Sequence, residues 1–322
     1  MSDRSKIEWC DATWNVVSGC TQVSSGCAHC YAKTLHDRRH KAYQAGAKLP
    51  EQYAKPFSTV QLHPDRLEMP LHWKKPRRIF VNSTSDLFHE HLYDLEQSFL
   101  NEVFAVMAAT PQHTYQILTK RPHLMERYLA EQRRPAYVEH SLETICGEHG
   151  WCIPDFDWPL PNVWVGTSIS NQPDADENIP HLLRILAVVR FISCEPLLGP
   201  IDLWGARYDN PTGGKTGALT AWPGGLDWVI CGGESGPNAR PMHPGWARSL
   251  RDECLAAGVP FFFKQWGEWL PVEQSGNGWG NIPKSAEIDY IGAVPFAGVG
   301  KKAAGRLLDG VEWNQFPERG AR

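Results

Sequence analysis

The 322-residue sequence lacks any apolar run close to the roughly 20 residues that a membrane-spanning helix needs. Its polar start, residues 1–6 (MSDRSK), also lacks the apolar core of a signal peptide. Hydrophobic residues make up 42% and charged residues 21% of the chain, as in ordinary globular proteins. We therefore expect a cytoplasmic protein without a membrane partner.

The sequence also lacks an excess of basic residues. The 32 Lys and Arg residues stand against 36 Asp and Glu residues, which argues against passive coating of nucleic acid. Local basic clusters are present, and they are either phosphate contacts or solvated surface charge. These residues are Arg38, Arg39, Lys41, Lys74, Lys75, Arg77 and Arg78.

Cysteine is present in an odd number, nine residues, which favours reduced thiols or metal ligands over a disulfide framework. Cys20, Cys27 and Cys30 are clustered among Gly, Ser and Thr. Three thiolates are one short of a closed tetrahedral site, whereas an iron–sulfur cluster on three cysteines keeps one iron open for a substrate. Three other cysteines are predicted to be small buried side chains: Cys194, Cys231 and Cys254.

A zinc site is the competing interpretation of the cysteine cluster. Its fourth ligand would be Cys10, His29 or His36. No second well-spaced Cys/His pair lies nearby, and we therefore favour the cluster. Cys146 and Cys152 lie in a separate segment, where they could bind a second metal.

Short apolar segments alternate with amphipathic ones along most of the chain. This rhythm predicts an α/β fold with parallel strands, a partial (β/α)6–8 TIM-type barrel, with a doubly wound open sheet as the second choice. The predicted strands are 78–82, 114–118, 162–166, 189–193, 227–231 and 259–263. The predicted helices are 31–47, 94–109, 122–131, 174–186 and 244–257.

The barrel is predicted to span residues 1–270 and to contain an insertion at about 133–161, which is too long for a plain connection. Residues 208–225 are rich in Gly, Pro and Thr and are predicted to form a flexible loop. Residues 271–322 are predicted to be an irregular C-terminal extension.

Polar residues follow each predicted strand, at the edge where βα barrels place their active sites. The alternative is that loops are polar in any case. Two carboxylates at these strand ends, Glu195 and Glu234, are candidate catalytic residues. The polar segments are 82–86, 119–121, 167–171, 193–195, 232–235 and 264–266.

Residues 15–20 (NVVSGC) and 26–32 (GCAHCYA) resemble the cluster loop of radical S-adenosylmethionine enzymes, in particular the spore photoproduct lyase-like branch. Segments 83–86, 117–120 and 165–168 are similar to strand ends of that branch. Six residues separate the first two cysteines, instead of the usual three. The chain is also similar to a phage-associated family of unknown function with this longer spacing.

The resemblance implies that Cys20, Cys27 and Cys30 hold three irons of a [4Fe-4S] cluster and that S-adenosylmethionine chelates the fourth. A reductant protein would supply one electron, and the resulting 5′-deoxyadenosyl radical would abstract a hydrogen from the substrate. The substrate class that the branch suggests is DNA, RNA or a nucleotide. The alternative is a non-catalytic zinc- or iron–sulfur-binding phage or bacterial protein that acts through a partner.

The resemblance also implies contacts to S-adenosylmethionine. Tyr31 would pack on the adenine, Lys120 would pair with the methionine carboxylate, and Ser168 would hydrogen-bond it. Ser83 or Asp86 would fix the amino or ribose groups. Each of these residues has an ordinary alternative as a loop residue satisfied by its neighbours.

Overall fold

The chain folds as strands alternating with helices, and the computed structural model describes residues 5–205, 207–209, 215–219 and 225–318. The strands in chain order are β1 Ala12–Trp14, β2 Val17–Ser18, β3 Gln61–Leu62, β4 Arg78–Val81, β5 Thr114–Thr119, β6 Val163–Ser168, β7 Val189–Cys194, β8 Arg207–Asp209, β9 Lys215–Gly217, β10 Trp228–Gly232, β11 Phe261–Gln265, β12 Trp269–Pro271, β13 Glu287–Ile291 and β14 Val294–Gly298. The helices are α1 Tyr31–Gln44, α2 Glu90–Leu95, α3 Gln97–Ala109, α4 Pro122–Leu129, α5 Arg134–His149, α6 Gln172–Arg184, α7 Pro244–Ala257 and α8 Lys301–Ala304.

Seven strands form one parallel sheet in the order β1-β4-β5-β6-β7-β10-β11, which is also their order along the chain. The sheet curls into a half-barrel, so the predicted fold class, a partial TIM-type barrel, is confirmed. In a doubly wound sheet the strand order reverses, and no reversal occurs in this sheet. All six predicted strands are present. The seventh, β1, was missed because three residues are too few to show a periodic pattern.

Side chains alternate between the two faces of the sheet, and both faces are buried. On β7, Ile192 packs in the core under the helices, whereas Phe191 belongs to a cluster on the inner face. On β10, Val229 likewise packs in the core under the helices, and Trp228 belongs to the cluster on the inner face. We call the inner aromatic residues the aromatic floor: Trp9, Phe80, Trp164, Phe191, Trp228 and Phe262.

Trp228 is the centre of the aromatic floor. Its ring centroid lies 5.6 Å from that of Phe191, 6.0 Å from Trp164 and 6.2 Å from Trp9. Gly166 makes room for this packing, because a Cβ there would lie 2.6 Å from Cζ of Phe191. The floor therefore closes the inner space of the half-barrel beneath the carboxyl ends of its strands.

The segment predicted as an insertion contains a full helix. α5 occupies Arg134–His149 and packs its buried Val138, Leu142 and Cys146 in the main core. It begins with Pro135 near its first turn and ends at Gly150, which has a left-handed φ of 68°. The sequence did not predict α5 because most of its residues are polar, so its apolar residues show no clear helical periodicity. Cys194, Cys231 and Cys254 are fully buried, as predicted.

The chain beyond residue 270 has more regular structure than expected. β12, β14 and β13 form a three-stranded antiparallel sheet. Further on, the chain runs along the outer edge of β11, where Phe263 N donates to Trp313 O and Gln315 N donates to Phe261 O. This segment covers one edge of the large sheet. The division at residue 270 stays a prediction.

Part of the predicted loop 208–225 lies outside the described residues. The part of this loop that the structure describes includes β9 and the end of β8. Within the described part of the chain, no helix is both long and apolar enough to cross a bilayer.

Candidate active site at the cysteine loop

The cysteine loop, residues 19–30, leads from β2 to α1. Gly19 at its start has a φ of 87°, and a Cβ there would lie 2.1 Å from the backbone O of Thr59. Gly19 also forms a parallel bridge with Ser85, just beyond β4. Only glycine fits such a conformation and approach without strain. The start of the loop is therefore fixed at the carboxyl end of the sheet.

Gly26 brings the loop against the ends of β5 and β6. A Cβ at Gly26 would lie 2.3 Å from Oγ of Ser170 and 3.2 Å from Nζ of Lys120. The Ser170 hydroxyl is buried and has no hydrogen-bond partner among the described residues. The residue directly before Cys27 is thus in close contact with the polar strand ends.

The three cysteines of the loop differ in their surroundings. Cys27 is buried in a short 3-10 turn, whereas Cys20 and Cys30 are half-buried. Cys30 directly precedes the first turn of α1. Burial raises the pKa of Cys20 to about 12, and the Asp86 carboxylate adds to the effect while Arg121 opposes it. A metal bound by Cys20 must therefore displace its proton.

No three His, Cys, Asp or Glu side chains of the described residues form a group that could hold a single metal ion. The proposed fourth ligands for zinc are engaged in other contacts. His29 Nδ1 lies 3.1 Å from Glu234 Oε2, and His36 Nε2 lies 3.0 Å from the backbone O of Lys55. Cys10 donates to Ser5 Oγ. All nine cysteines are free, and a metal at Cys146 and Cys152 stays a prediction.

Arg121 holds the first half of the loop from beyond β5. Its guanidinium donates to Thr21 Oγ1 at 2.8 Å and approaches Cys20 Sγ at 3.8 Å. It also donates to Glu90 Oε1 at 2.7 Å and to Asp86 Oδ2 at 3.2 Å. These two carboxylates, together with its hydrogen bonds, raise the pKa of Arg121 even though burial acts against it. The Arg121 side chain is only 1% exposed.

Arg240 holds the second half of the loop from beyond β10. It donates to both carboxylate oxygens of Glu234, at 2.8 and 2.6 Å, and to the backbone O of Ser25 at 3.2 Å. Glu234, a predicted catalytic candidate, is buried and also contacts His29. Burial raises the pKa of Glu234, but the hydrogen bonds from Arg240 outweigh it and hold that pKa below its usual value. In this structure Glu234 joins Arg240 to the cysteine loop.

Lys120, Ser168 and Glu195 are brought together, as their places after adjacent strands predicted. Lys120 Nζ donates to Ser168 Oγ at 2.7 Å. Ser168 Oγ donates in turn to the backbone O of Glu195 at 3.2 Å. The Glu195 carboxylate pairs with Lys264 Nζ at 3.0 Å on the inner face of the sheet.

Tyr31 and Ser83, two other predicted cofactor contacts, lie close to each other. The hydroxyl of Tyr31 donates to the backbone O of Ser83, and the Tyr31 side chain stays largely exposed. Ser83 Oγ donates to Asn15 Oδ1 at 3.1 Å. Their predicted roles toward S-adenosylmethionine stay predictions.

Asp86 is buried and accepts four hydrogen bonds. The donors are the backbone N of Phe88 and of Lys120, the hydroxyl of Thr119, and Arg121. A carboxylate offers about four lone-pair sites, so Asp86 as it stands organises the strand ends. Its predicted contact with S-adenosylmethionine stays a prediction.

Sequence reasoning missed Arg240 entirely and gave Arg121 and Lys264 no role. Arg240 lies in the connection after β10, six residues beyond Glu234, and no motif marks it. Arg121 directly follows Lys120 and belongs to the predicted polar segment 119–121, but the sequence indicated no specific role for it. Among the predicted phosphate contacts, Arg77 lies over the Trp73 ring at 4.8 Å and Arg78 over that of Phe316 at 4.2 Å.

Comparison with known proteins gives two kinds of match. A cysteine-to-serine mutant of spore photoproduct lyase is similar in structure, with 10% identity, a TM-score of 0.41, and coverage of 92% of this chain and 70% of that chain. A double mutant of the same lyase with bound AdoMet and dinucleoside spore photoproduct gives 11% identity, a TM-score of 0.39, and coverage of 88% and 67%. No curated protein matches the sequence. A family model matches residues 4–317, and the chain therefore belongs to the family described as "Protein of unknown function (DUF5131)".

Proposed function

We propose that the protein is a radical S-adenosylmethionine enzyme in which Cys20, Cys27 and Cys30 hold three irons of a [4Fe-4S] cluster. The observation that carries this proposal is the close approach of Gly26 in the cysteine loop to Lys120 and Ser170. Parallel βα sheets carry their active sites at the carboxyl ends of the strands. The three thiols and the polar strand ends therefore lie at one edge of the sheet.

The residues of the loop fit a cluster better than a single ion. Three cysteines leave one iron of a cluster without a protein ligand, and the candidate fourth ligands for zinc, His29, His36 and Cys10, are engaged in other contacts. Arg121 adds a donor to Cys20 Sγ, the kind of contact that tunes a cluster. When bound, the cluster and S-adenosylmethionine supply the reductive cleavage that yields a 5′-deoxyadenosyl radical.

The side chains around the loop supply binding and orientation. Lys120, in contact with Ser168 and next to Gly26, offers an ammonium group to the carboxylate of S-adenosylmethionine. Tyr31 offers an exposed ring to the adenine and contacts the backbone O of Ser83, and we assign Ser83 or Asp86 to the amino or ribose groups. The aromatic floor excludes water from beneath this space.

We infer a nucleic acid or a nucleotide as the substrate class, following the resemblance of the cysteine loop. A reductant protein would deliver the electron. The association with phage also remains part of this proposal.

The test is anaerobic reconstitution with iron and sulfide, followed by dithionite and S-adenosylmethionine. We expect a brown protein that produces 5′-deoxyadenosine. Cys27→Ala should lose both iron and product, because it removes one of three cluster ligands. Cys254→Ala is the matched control, since Cys254 lies on α7 in the core, outside the cysteine loop, and it should keep the iron.

Two outcomes contradict the proposal in different ways. A fully loaded cluster that yields no 5′-deoxyadenosine would favour the non-catalytic iron–sulfur protein. Stoichiometric zinc without sulfide, or iron retained by Cys27→Ala, would show that the ligand assignment is wrong.

A further inference from the structure

A charged pair lies on the inner face of the half-barrel, between the aromatic floor and the strand ends. Lys264 on β11 and Glu195 after β7 are 3.0 Å apart, and their side chains are 18% and 14% exposed. β10 lies between these strands, and its Gly232 makes room, because a Cβ there would lie 2.6 Å from Glu195 Oε1. The glycine keeps open the place that the pair occupies.

The pair keeps unused hydrogen-bonding capacity. Glu195 accepts from Lys264 and, at 3.0 Å, from the hydroxyl of Ser193. A carboxylate has about four acceptor sites and an ammonium three donors, so both groups have sites left over within the described residues. Half-buried charges are costly to remove from water unless such sites are used. The pair therefore offers a donor and an acceptor side by side.

The strand positions next to the pair on the inner face are apolar, and one more unused polar atom lies near Lys264. Ile230 and Phe262 lie in register with Ser193 and belong to the inner cluster. Glu8, whose charge acts on Lys264, has a buried Oε2 atom without a hydrogen-bond partner among the described residues. Buried polar atoms without a partner point to a ligand or an ordered water.

We propose that Lys264 and Glu195 form a subsite for a nucleobase with a lactam edge, in which a carbonyl lies next to an N–H, as in uracil, thymine and guanine. The Lys264 ammonium donates to the carbonyl, and the Glu195 carboxylate accepts from the N–H. The flat base lies over the aromatic floor. A phosphate is disfavoured, because Glu195 offsets the charge of Lys264 and repels anions.

The role of this subsite in a reaction rests on the proposed function. Its ligand can be tested by binding alone, without any turnover. Isothermal titration calorimetry on the full chain, with and without reconstituted iron, compares uridine, 3-methyluridine, adenosine and inorganic phosphate. We expect uridine to bind about tenfold or more tightly than 3-methyluridine, which lacks the N–H, because a site built around a hydrogen bond rejects an analogue without it.

Variants link the binding to the pair. Lys264→Met and Glu195→Gln should each weaken uridine binding about tenfold or more, whereas Lys302→Met, at an exposed lysine, should leave it unchanged. Lys264→Arg keeps the charge and should retain part of the affinity. Thermal unfolding of each variant identifies any that fails to fold, and the comparison of ligands on the wild type does not depend on the variants.

The outcomes separate this subsite from the proposed function, since 5′-deoxyadenosine is measured on the same preparations. Equal binding of uridine and 3-methyluridine, or tighter binding of phosphate, overturns the subsite even where S-adenosylmethionine is cleaved. Selective uridine binding that depends on Lys264 upholds it even where no 5′-deoxyadenosine forms.

Discussion

Two arginines hold the cysteine loop from distant parts of the sheet, and they differ in burial. Arg121 is 1% exposed and bonds to a side chain of the loop, a backbone carbonyl and a thiol. Arg240 is 34% exposed and reaches only the backbone of Ser25. A fully buried arginine cannot be removed cheaply from its ion pairs, whereas Arg240 is open to water at its end of the pair with the buried Glu234 and is partly screened. The first half of the loop should therefore be firmly fixed and the second half more adaptable.

The largest effect should come from Arg121→Met. It leaves the buried Asp86 carboxylate without its counter-charge, and we expect a loss of about 3–5 kcal/mol in the free energy of unfolding. The iron content after reconstitution should fall as well, because Thr21 and Cys20 lose their donor. Urea unfolding and iron analysis measure the two effects.

Arg134→Met is the matched control for this variant. Arg134 is also buried, but it bonds to Tyr128 O, Asn101 and Gln97, away from the loop. It should lower stability and leave the iron content unchanged. If Arg121→Met unfolded like the wild type, burial would not be what distinguishes the two arginines.

A smaller effect is expected from Arg240→Met. Glu234 keeps its contact with His29 and a hydrogen bond from the backbone N of residue 240, so the cost should be about 1–2 kcal/mol. The iron content should be retained, and the amides of residues 25–30 should exchange with solvent faster than in the wild type. Hydrogen exchange followed by mass spectrometry measures this. Unchanged exchange would mean that Arg240 does not restrain the loop.

The smallest effect should come from Ser25→Ala. It removes only the exposed hydrogen bond from Asn171 Nδ2 to Ser25 Oγ and leaves the backbone carbonyl for Arg240. We expect less than about 0.5 kcal/mol in urea unfolding, as for ordinary surface substitutions. A larger loss than in Arg240→Met would show that the side chain of Ser25, and not its backbone, fixes this half of the loop.

Sequence reasoning recovered the parallel sheet because its inner strands are continuous apolar runs. It failed for β1, which is too short, and for α5, whose surface is mostly polar. Within the site, the rule that polar residues follow parallel strands correctly grouped Lys120, Ser168 and Glu195. These are positions whose proximity follows from topology alone.

The contacts that hold the cysteine loop could not be predicted from the sequence, for a physical reason. His29 and Glu234 are 205 residues apart, and their contact depends on the curl of the sheet, which no local pattern encodes. Lys264 was grouped with the residues after its strand, but it lies within β11, beside a register irregularity between Cys231 and Gly232 of β10. Whether the Lys264 side chain points to the inner face depends on the alternation of side chains along β11.

The matching order of strands in the sheet and in the chain has a consequence for synthesis on the ribosome. Each new strand can join the edge of the preceding one, so the half-barrel can grow in the direction of translation. The cysteine loop is made near the beginning, but Arg240 lies 215 residues after Ser25. At 5–20 residues per second, roughly 10–40 s pass before that residue is made. During that time the loop lacks its second arginine, and under the proposed function this is the interval in which a cluster would be inserted.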